Sequence, residues 1–384
     1  MSEPQNQFLE TADYLGARIC RDALWAGSYC NWLGPSMEYV SGNWTVVHRA
    51  YGPDLYAGTS GIALFLANLY RHTNEKIYRL TAEAGLRHSL SRLDDLHPAV
   101  RCGFYSGLVG IAFALIEAAD QLSNQGYVAE ALRLLKTLAK DDPTAQGLDV
   151  ISGSAGAIPF LLNVHQKHPD DGLLELAVRH GEHLLTTARK NEFGWSWNTM
   201  DSPRDLTGYS HGAAGIGLAF LELHAKTGEQ RFRDAAEQAF AYERHYFNAE
   251  QENWPDFRSF TPASPGAEAG TVCSVTWCHG APGIGLSRLR AYELTGQEVY
   301  REEANLALRT TARMLSASVQ GLQDNFSLCH GATGNAETLI TASHVLGDPS
   351  QMKLVTEVAG AGIERYRKTN LPWPCGVPGG GETQ

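Results

Sequence analysis

One short glycine frame recurs six times along this chain, and the recurrence narrows the fold more than any other feature. Two glycines stand three residues apart at Gly58 and Gly61, Gly107 and Gly110, Gly153 and Gly156, Gly212 and Gly215, Gly280 and Gly283, and Gly331 and Gly334. Each pair opens a small-residue run, most plainly Ile62-Ala63-Leu64-Phe65-Leu66, Ile111-Ala112-Phe113-Ala114-Leu115 and Ile216-Gly217-Leu218-Ala219-Phe220. The copies lie roughly fifty to seventy residues apart, longer than ordinary solenoid repeats. Between them run segments that mix charge with apolar residues at helical spacing, over 75–93, 127–139, 172–189, 229–247, 298–315 and 349–368. A helix apolar on all sides is buried, and an amphipathic one covers it. Strand signals are sparse. The pattern predicts an all-α fold, a double-layered α/α toroid of six to seven helix pairs. The short helices form its inner barrel, and their glycine loops gather at one end. Glycine suits such loops through positive φ and close backbone approach.

Length alone, 384 residues, suggests two or three domains. The repeat argues instead for a single domain over 1–384, with N-terminal flanking helices in 1–50 and repeats from about residue 51. A hydrophobic content of 43% allows a sizeable core. The formal net charge of −11 argues against non-specific nucleic-acid binding. No apolar stretch is long enough for a membrane span. The polar N-terminus lacks a secretory pattern, so a cytoplasmic location is the default. There the seven cysteines are thiols or ligands rather than disulfides. The proline-rich stretch 254–272 reads as a rim loop or lid.

Two frames carry cysteine: Trp277-Cys278-His279-Gly280 and Leu328-Cys329-His330-Gly331. Two cysteines and a histidine are what a catalytic zinc site needs, because three protein ligands leave the fourth tetrahedral position open. A lone cysteine is more often a buried structural thiol. Two in matching frames, with an adjacent histidine, favour a metal. Cys20, Cys30, Cys102, Cys273 and Cys375 have no such context and read as structural.

These frames, with Ser210-His211-Gly212 upstream, resemble the lanthionine synthetase C-like (LanC-like) family. Asn253-Trp254-Pro255-Asp256 and the tail from Pro372 to Thr383 are most similar to the cyclase domain of class II lanthipeptide synthetases. The resemblance implies a zinc-dependent cyclase that adds a peptide cysteine thiol to dehydroalanine or dehydrobutyrine, closing a lanthionine or methyllanthionine thioether. It implies Zn2+ on Cys278, Cys329 and His330, with His211 protonating the enolate and Asp149 orienting His211 or assisting deprotonation. By itself, Asp149 reads as readily as a cap or turn residue. His279 shares the neighbourhood of His330, but the family pattern uses only the cysteine of its frame, which leaves it a supporting loop residue. Trp277, Trp254 and Tyr209 line a peptide groove or simply pack. The implied partners are a dehydrated precursor peptide and a separate dehydratase. The family toroid has seven pairs, and this sequence stops at Gln384, so the last inner helix is expected to be missing. Three other classes remain open: glutathione addition to dehydroamino acids in proteins, a non-catalytic scaffold for a dehydratase or precursor, and, ranked last, a toroid glycosidase, which would need paired carboxylates at the loops.

Overall fold

The computed structural model describes residues 3–40, 43–200, 202, 204–258, 272–321 and 325–375. The chain divides into two compact units, residues 1–147 with 151–176, and residues 148–150 with 177–384. In the first unit, helix α1 (Glu3–Arg21) is followed by two β-hairpins, β1 (Leu24–Ala26) with β2 (Tyr29–Asn31) and β3 (Leu33–Val40) with β4 (Asn43–Ala50). The expected flanking helices of 1–50 therefore reduce to one. The cause was legible: Tyr39-Val40 and Thr45-Val46-Val47 are runs of β-formers.

Helix pairs follow. The first unit holds α2 (Thr59–Thr73) with α3 (Lys76–Ser91), α4 (Leu108–Gln121) with α5 (Gly126–Leu138), and α6 (Ser154–Lys167), followed in sequence by α7 (Asp171–Thr187), which runs on into the second unit. A short hairpin, β5 (Arg189–Asn191) with β6 (Gly194–Ser196), comes next. The second unit then holds α8 (Ala213–Thr227) with α9 (Gln230–His245), α10 (Ala281–Thr295) with α11 (Glu298–Val319), and α12 (Ala332–Leu346) with α13 (Met352–Gly362). Six leading helices, each followed in sequence by a second, are thus present among the described residues, in the architecture of the α/α toroid class. The glycine-rich tail 379–383, on which the missing helix was argued, lies outside them.

Burial divides each pair as the periodicity predicts. On α8, Ala213 through Leu221 are buried without a break. On α9 the buried residues Phe232, Ala235, Ala236, Ala239, Phe240, Tyr242 and Glu243 form one stripe. Three pairs turn on the same loop. Thr73, Thr227 and Thr295 each accept from the backbone N–H two residues on, around a left-handed Asn74, Gly228 or Gly296.

The glycine frame has a steric cause. Each leading helix begins one residue after its first glycine, so its second glycine lies in the first turn. A Cβ there would stand 2.3 Å from the Leu55 carbonyl oxygen at Gly61, 1.8 Å from that of Phe104 at Gly110, 2.1 Å from that of Tyr209 at Gly215, 2.0 Å from that of Trp277 at Gly283 and 1.8 Å from that of Leu328 at Gly334. Close approach is the whole reason at most first glycines too. Gly58, Gly107, Gly153, Gly212 and Gly331 have extended backbone, and only Gly280, at φ +90°, needs the left-handed region.

The residue two before each first glycine joins a backbone relay. In the first unit, Tyr56 N–H donates to the Tyr105 carbonyl and Tyr105 N–H to that of Ile151. In the second, Val150 N–H donates to Ser210, Ser210 to Cys278, and Cys278 to Cys329. The relay lays consecutive frames side by side, whatever side chains they carry.

Candidate active site

All five residues predicted from sequence lie in the second unit, at the glycine frames or beside them in the relay. His211 precedes Gly212, the residue that caps α8, and so sits two residues before the helix begins. Its Nδ1 stands 2.5 Å from Asp149 Oδ2, and the Asp149 side chain is 8% exposed against 18% for His211. A buried carboxylate on Nδ1 fixes the ring's orientation and leaves Nε2 for chemistry. Asp149 is therefore a partner of His211, not merely a turn residue.

The His211 turn is pinned from several sides. Thr199 Oγ1 donates to the His211 carbonyl at 2.6 Å. Ser210 gives both its N–H and its hydroxyl to the Cys278 carbonyl, at 3.2 and 3.0 Å. Gly208 has φ +101°, and a Cβ on it would lie 3.2 Å from the Cys278 oxygen. The histidine turn and the cysteine turn thus form one rigid piece.

Cys278 is buried and hydrogen-bonds Cys329. That bond, the Thr276 hydroxyl at 3.3 Å and the positive charge of Arg258 outweigh burial and draw the Cys278 thiol down to about 6. The His330 ring is half-buried and hydrogen-bonds the backbone of Cys375, and burial lowers its pKa. A histidine held through one nitrogen by a backbone carbonyl is oriented as metal-binding histidines are. The donor chemistry of Cys278 and Cys329 fits a soft divalent ion: two thiols in contact, one already drawn toward thiolate. Among the described residues, however, no three His, Cys, Asp or Glu side chains form a cluster that would hold a metal ion. The pair Cys278–Cys329 and the ring of His330 are brought to neighbouring frames, not to one closed centre.

His279 is 1% exposed, and burial pushes it down to about 3. Its ring lies 5.7 Å from that of His211 at 29°, and its Nδ1 is 3.8 Å from Asp256. It is a neutral wall of the site. Asp256 is bound to Arg258 through Nε and Nη2, at 2.9 and 2.6 Å. Sequence reasoning flagged the stretch holding Asp256 but missed Arg258, which no motif marks. The aromatics pack. Trp254 is buried and donates its indole N–H to the Glu243 carbonyl, while Tyr209 and Trp277 meet edge-on at 5.5 Å. Most of the expected lid, 259–271, lies outside the described residues.

An α/α helix-pair scaffold carries, on its loops, a His–Asp pair stitched to a cysteine pair. The sequence matches the family described as lanthionine synthetase C-like protein over residues 49–380, and the chain belongs to that family. Among its relatives, the lacticin 481/lactococcin biosynthesis protein LcnDR2 of Lactococcus lactis subsp. lactis is 23% identical over 90% of this chain, which spans only 35% of that protein's length. The nisin biosynthesis protein NisC of the same organism is 23% identical over 74% of this chain and 72% of its own. Glutathione S-transferase LANCL1 of Danio rerio is 22% identical over 77% and 71%. The solved structure of nisin cyclase superposes with a TM-score of 0.62 at 21% identity, covering 83% of each chain, which shows the shared fold. No described helix is long and apolar enough to cross a membrane.

Proposed function

We propose that this chain is a zinc-dependent lanthionine and methyllanthionine cyclase. The observation that carries the reading is the Asp149–His211 contact at 2.5 Å, on a turn that Ser210 ties to Cys278. Zinc would be held by Cys278, Cys329 and His330, and when bound it supplies acidification of an incoming thiol. Asp149 holds the Nδ1 proton of His211, so Nε2 is free to accept the thiol proton of the substrate cysteine. The sulfur forms its bond to the β-carbon of the dehydroamino acid, the carbon–carbon π-bond shifts to an enolate, and the His211 Nε2 proton returns to the α-carbon. Atoms balance with no oxidant or reductant. The precursor peptide arrives dehydrated, the product of a dehydratase. Residues 1–384 act as one cyclase domain, in a cytoplasmic setting that keeps Cys278 and Cys329 reduced.

The relative named as a glutathione S-transferase supports a second reading, addition of glutathione to the same acceptors. Elemental analysis of the purified protein beside Cys329→Ala tests the metal. About one zinc per chain, lost in the variant, is expected. A dehydrated peptide with one cysteine then tests the reaction: its thiol should become resistant to alkylation with no change in mass. A mass gain with added glutathione instead selects the second reading. A folded protein that holds zinc, adds neither thiol, yet binds a dehydratase or the precursor would be a scaffold.

A further inference from the structure

Glu243 lies on α9, the covering helix of the pair that α8 leads, and is fully buried. Its Oε1 accepts from Gly208 N–H at 3.1 Å and from Ala214 N–H at 2.8 Å. These two donors bracket His211. Ala214 N–H is one of the orphan donors of the first turn of α8. Gly208 N–H belongs to a residue in the left-handed region, where no helix or strand would satisfy it. One oxygen therefore clips both ends of the turn that presents His211.

The threonine loops give a register for asking what this position does elsewhere. Counted from Glu75, Glu229 and Gln297, the equivalents of Glu243 are Ser89 on α3 and Thr311 on α11. Ser89 meets Thr59 and Ser60, the first residues of α2, through hydroxyl bonds of 2.7 and 3.0 Å. Thr311 turns back to the Ala307 carbonyl of its own helix. A hydroxyl thus suffices for the fold at this position in two of the three pairs that share the threonine loop, and the His211 pair places a carboxylate there. The carboxylate is costly. Its Oε2 is buried without a hydrogen-bond partner, and burial raises its pKa to about 8 against the pull of Arg288 and the two N–H donors. Arg288 is itself fully buried, over the Phe240 ring at 3.9 Å and paired with Glu303. A group with that cost and no demand from the scaffold points to the turn it holds.

We propose that Glu243 is a positioning residue for His211: by clipping Gly208 and Ala214 it sets the turn that lays the His211 ring on Asp149. The inference rests on the cyclase reading for its kinetic consequence, but not for its structural one. Two readouts are needed, the nitrogen–proton correlations of the His211 imidazole and the kcat and KM of cyclisation. Glu243→Gln keeps an oxygen acceptor in place, so the imidazole signals and kcat should stay within about threefold of wild type. Glu243→Asp withdraws the oxygen by one methylene. It should move the His211 signals and lower kcat about 10- to 100-fold, with KM and zinc content nearly unchanged, as expected for a misplacement near 1 Å. Should that variant fail to fold, Glu243→Ser copies the hydroxyl of Ser89 and should show the same loss. A folded Asp or Ser variant with unmoved His211 signals overturns the proposal, and so does a Gln variant as damaged as the Asp one. If wild type adds no thiol at all, the cyclase reading fails, while the imidazole signals still decide the role of Glu243.

Discussion

The frames of the first unit and those of the second share a backbone and differ in what it carries. Ahead of their first glycines the former place Tyr56-Ala57, Tyr105-Ser106 and Ile151-Ser152, and the latter Ser210-His211, Cys278-His279 and Cys329-His330. Both sets run the same relay of N–H to carbonyl, and both need a glycine where the first helical turn meets a carbonyl. The frame is thus a structural device, and the second unit carries histidine and cysteine at two adjoining positions without altering it. Those positions suit reactive groups because the relay fixes them through backbone atoms alone, whatever the side chain.

The contrast breaks first at the dyad. Asp149→Asn keeps the volume but lets the amide hold the wrong His211 tautomer, and kcat should fall by roughly 10³- to 10⁴-fold, as for other oriented histidines. Zinc content and melting temperature should barely change. Ser106→Ala, at the place in the first unit that His211 takes in the second, should leave kcat unchanged and cost about 1 kcal/mol through its lost bonds to Ile151 and Ser152. A kinetic effect of Ser106→Ala comparable to that of Asp149→Asn would end the division between scaffold frames and catalytic frames. Next comes a change that should treat both units alike. Gly110→Ala and Gly215→Ala each drive a Cβ to about 2 Å from a carbonyl oxygen, and each should destabilise by about 1–3 kcal/mol in denaturant unfolding. A much smaller cost in one unit would show that its frame is held by something other than that close approach.

Much of this was readable from the residues. The leading helices start within a residue of their glycines, and the amphipathic segments match α3, α5, α7, α9 and α11 closely, because period and small-residue crowding are local signals. The Cys278 and Cys329 frames were readable because the repeat supplied a register against which cysteine stood out. The hairpins over 24–50 were not, although the β-formers Tyr39-Val40 and Thr45-Val46-Val47 were there to be seen. Of the two reasons expected for glycine, close backbone approach holds widely, because the second glycines Gly61, Gly110, Gly215, Gly283 and Gly334 each meet the carbonyl six residues before them in their own frame, whereas positive φ holds at Gly280 alone among the first glycines. Glu243 was invisible because its two contacts join residues 35 and 29 apart in the chain. On its helix it is one more charged residue, and only the fold turns it inward to Gly208 and Ala214.

The smallest expected effect is a pH dependence that separates Glu243 from Ser89. Glu243 ionises near 4.3 in an unfolded chain and, through burial, at about 8 in the folded one. The folded state therefore holds the proton more tightly. The stability tied to that proton is fully present below about pH 4.3 and drains away as pH rises through about 8. Arg288 from α10 and the N–H groups of Gly208 and Ala214 oppose the shift, and Glu303 from α11 reinforces it. Unfolding midpoints of wild type and Glu243→Gln, taken from pH 5 to pH 8, should diverge steadily, with wild type losing ground as pH rises. Ser89→Ala should instead cost a constant amount, since no proton leaves residue 89. If the wild-type and Gln midpoints stay parallel, Glu243 is already ionised at pH 5 and its pairing with Arg288 outweighs burial. The two positions would then differ in charge but not in titration, and the clip on the His211 turn would hold unchanged across the working pH.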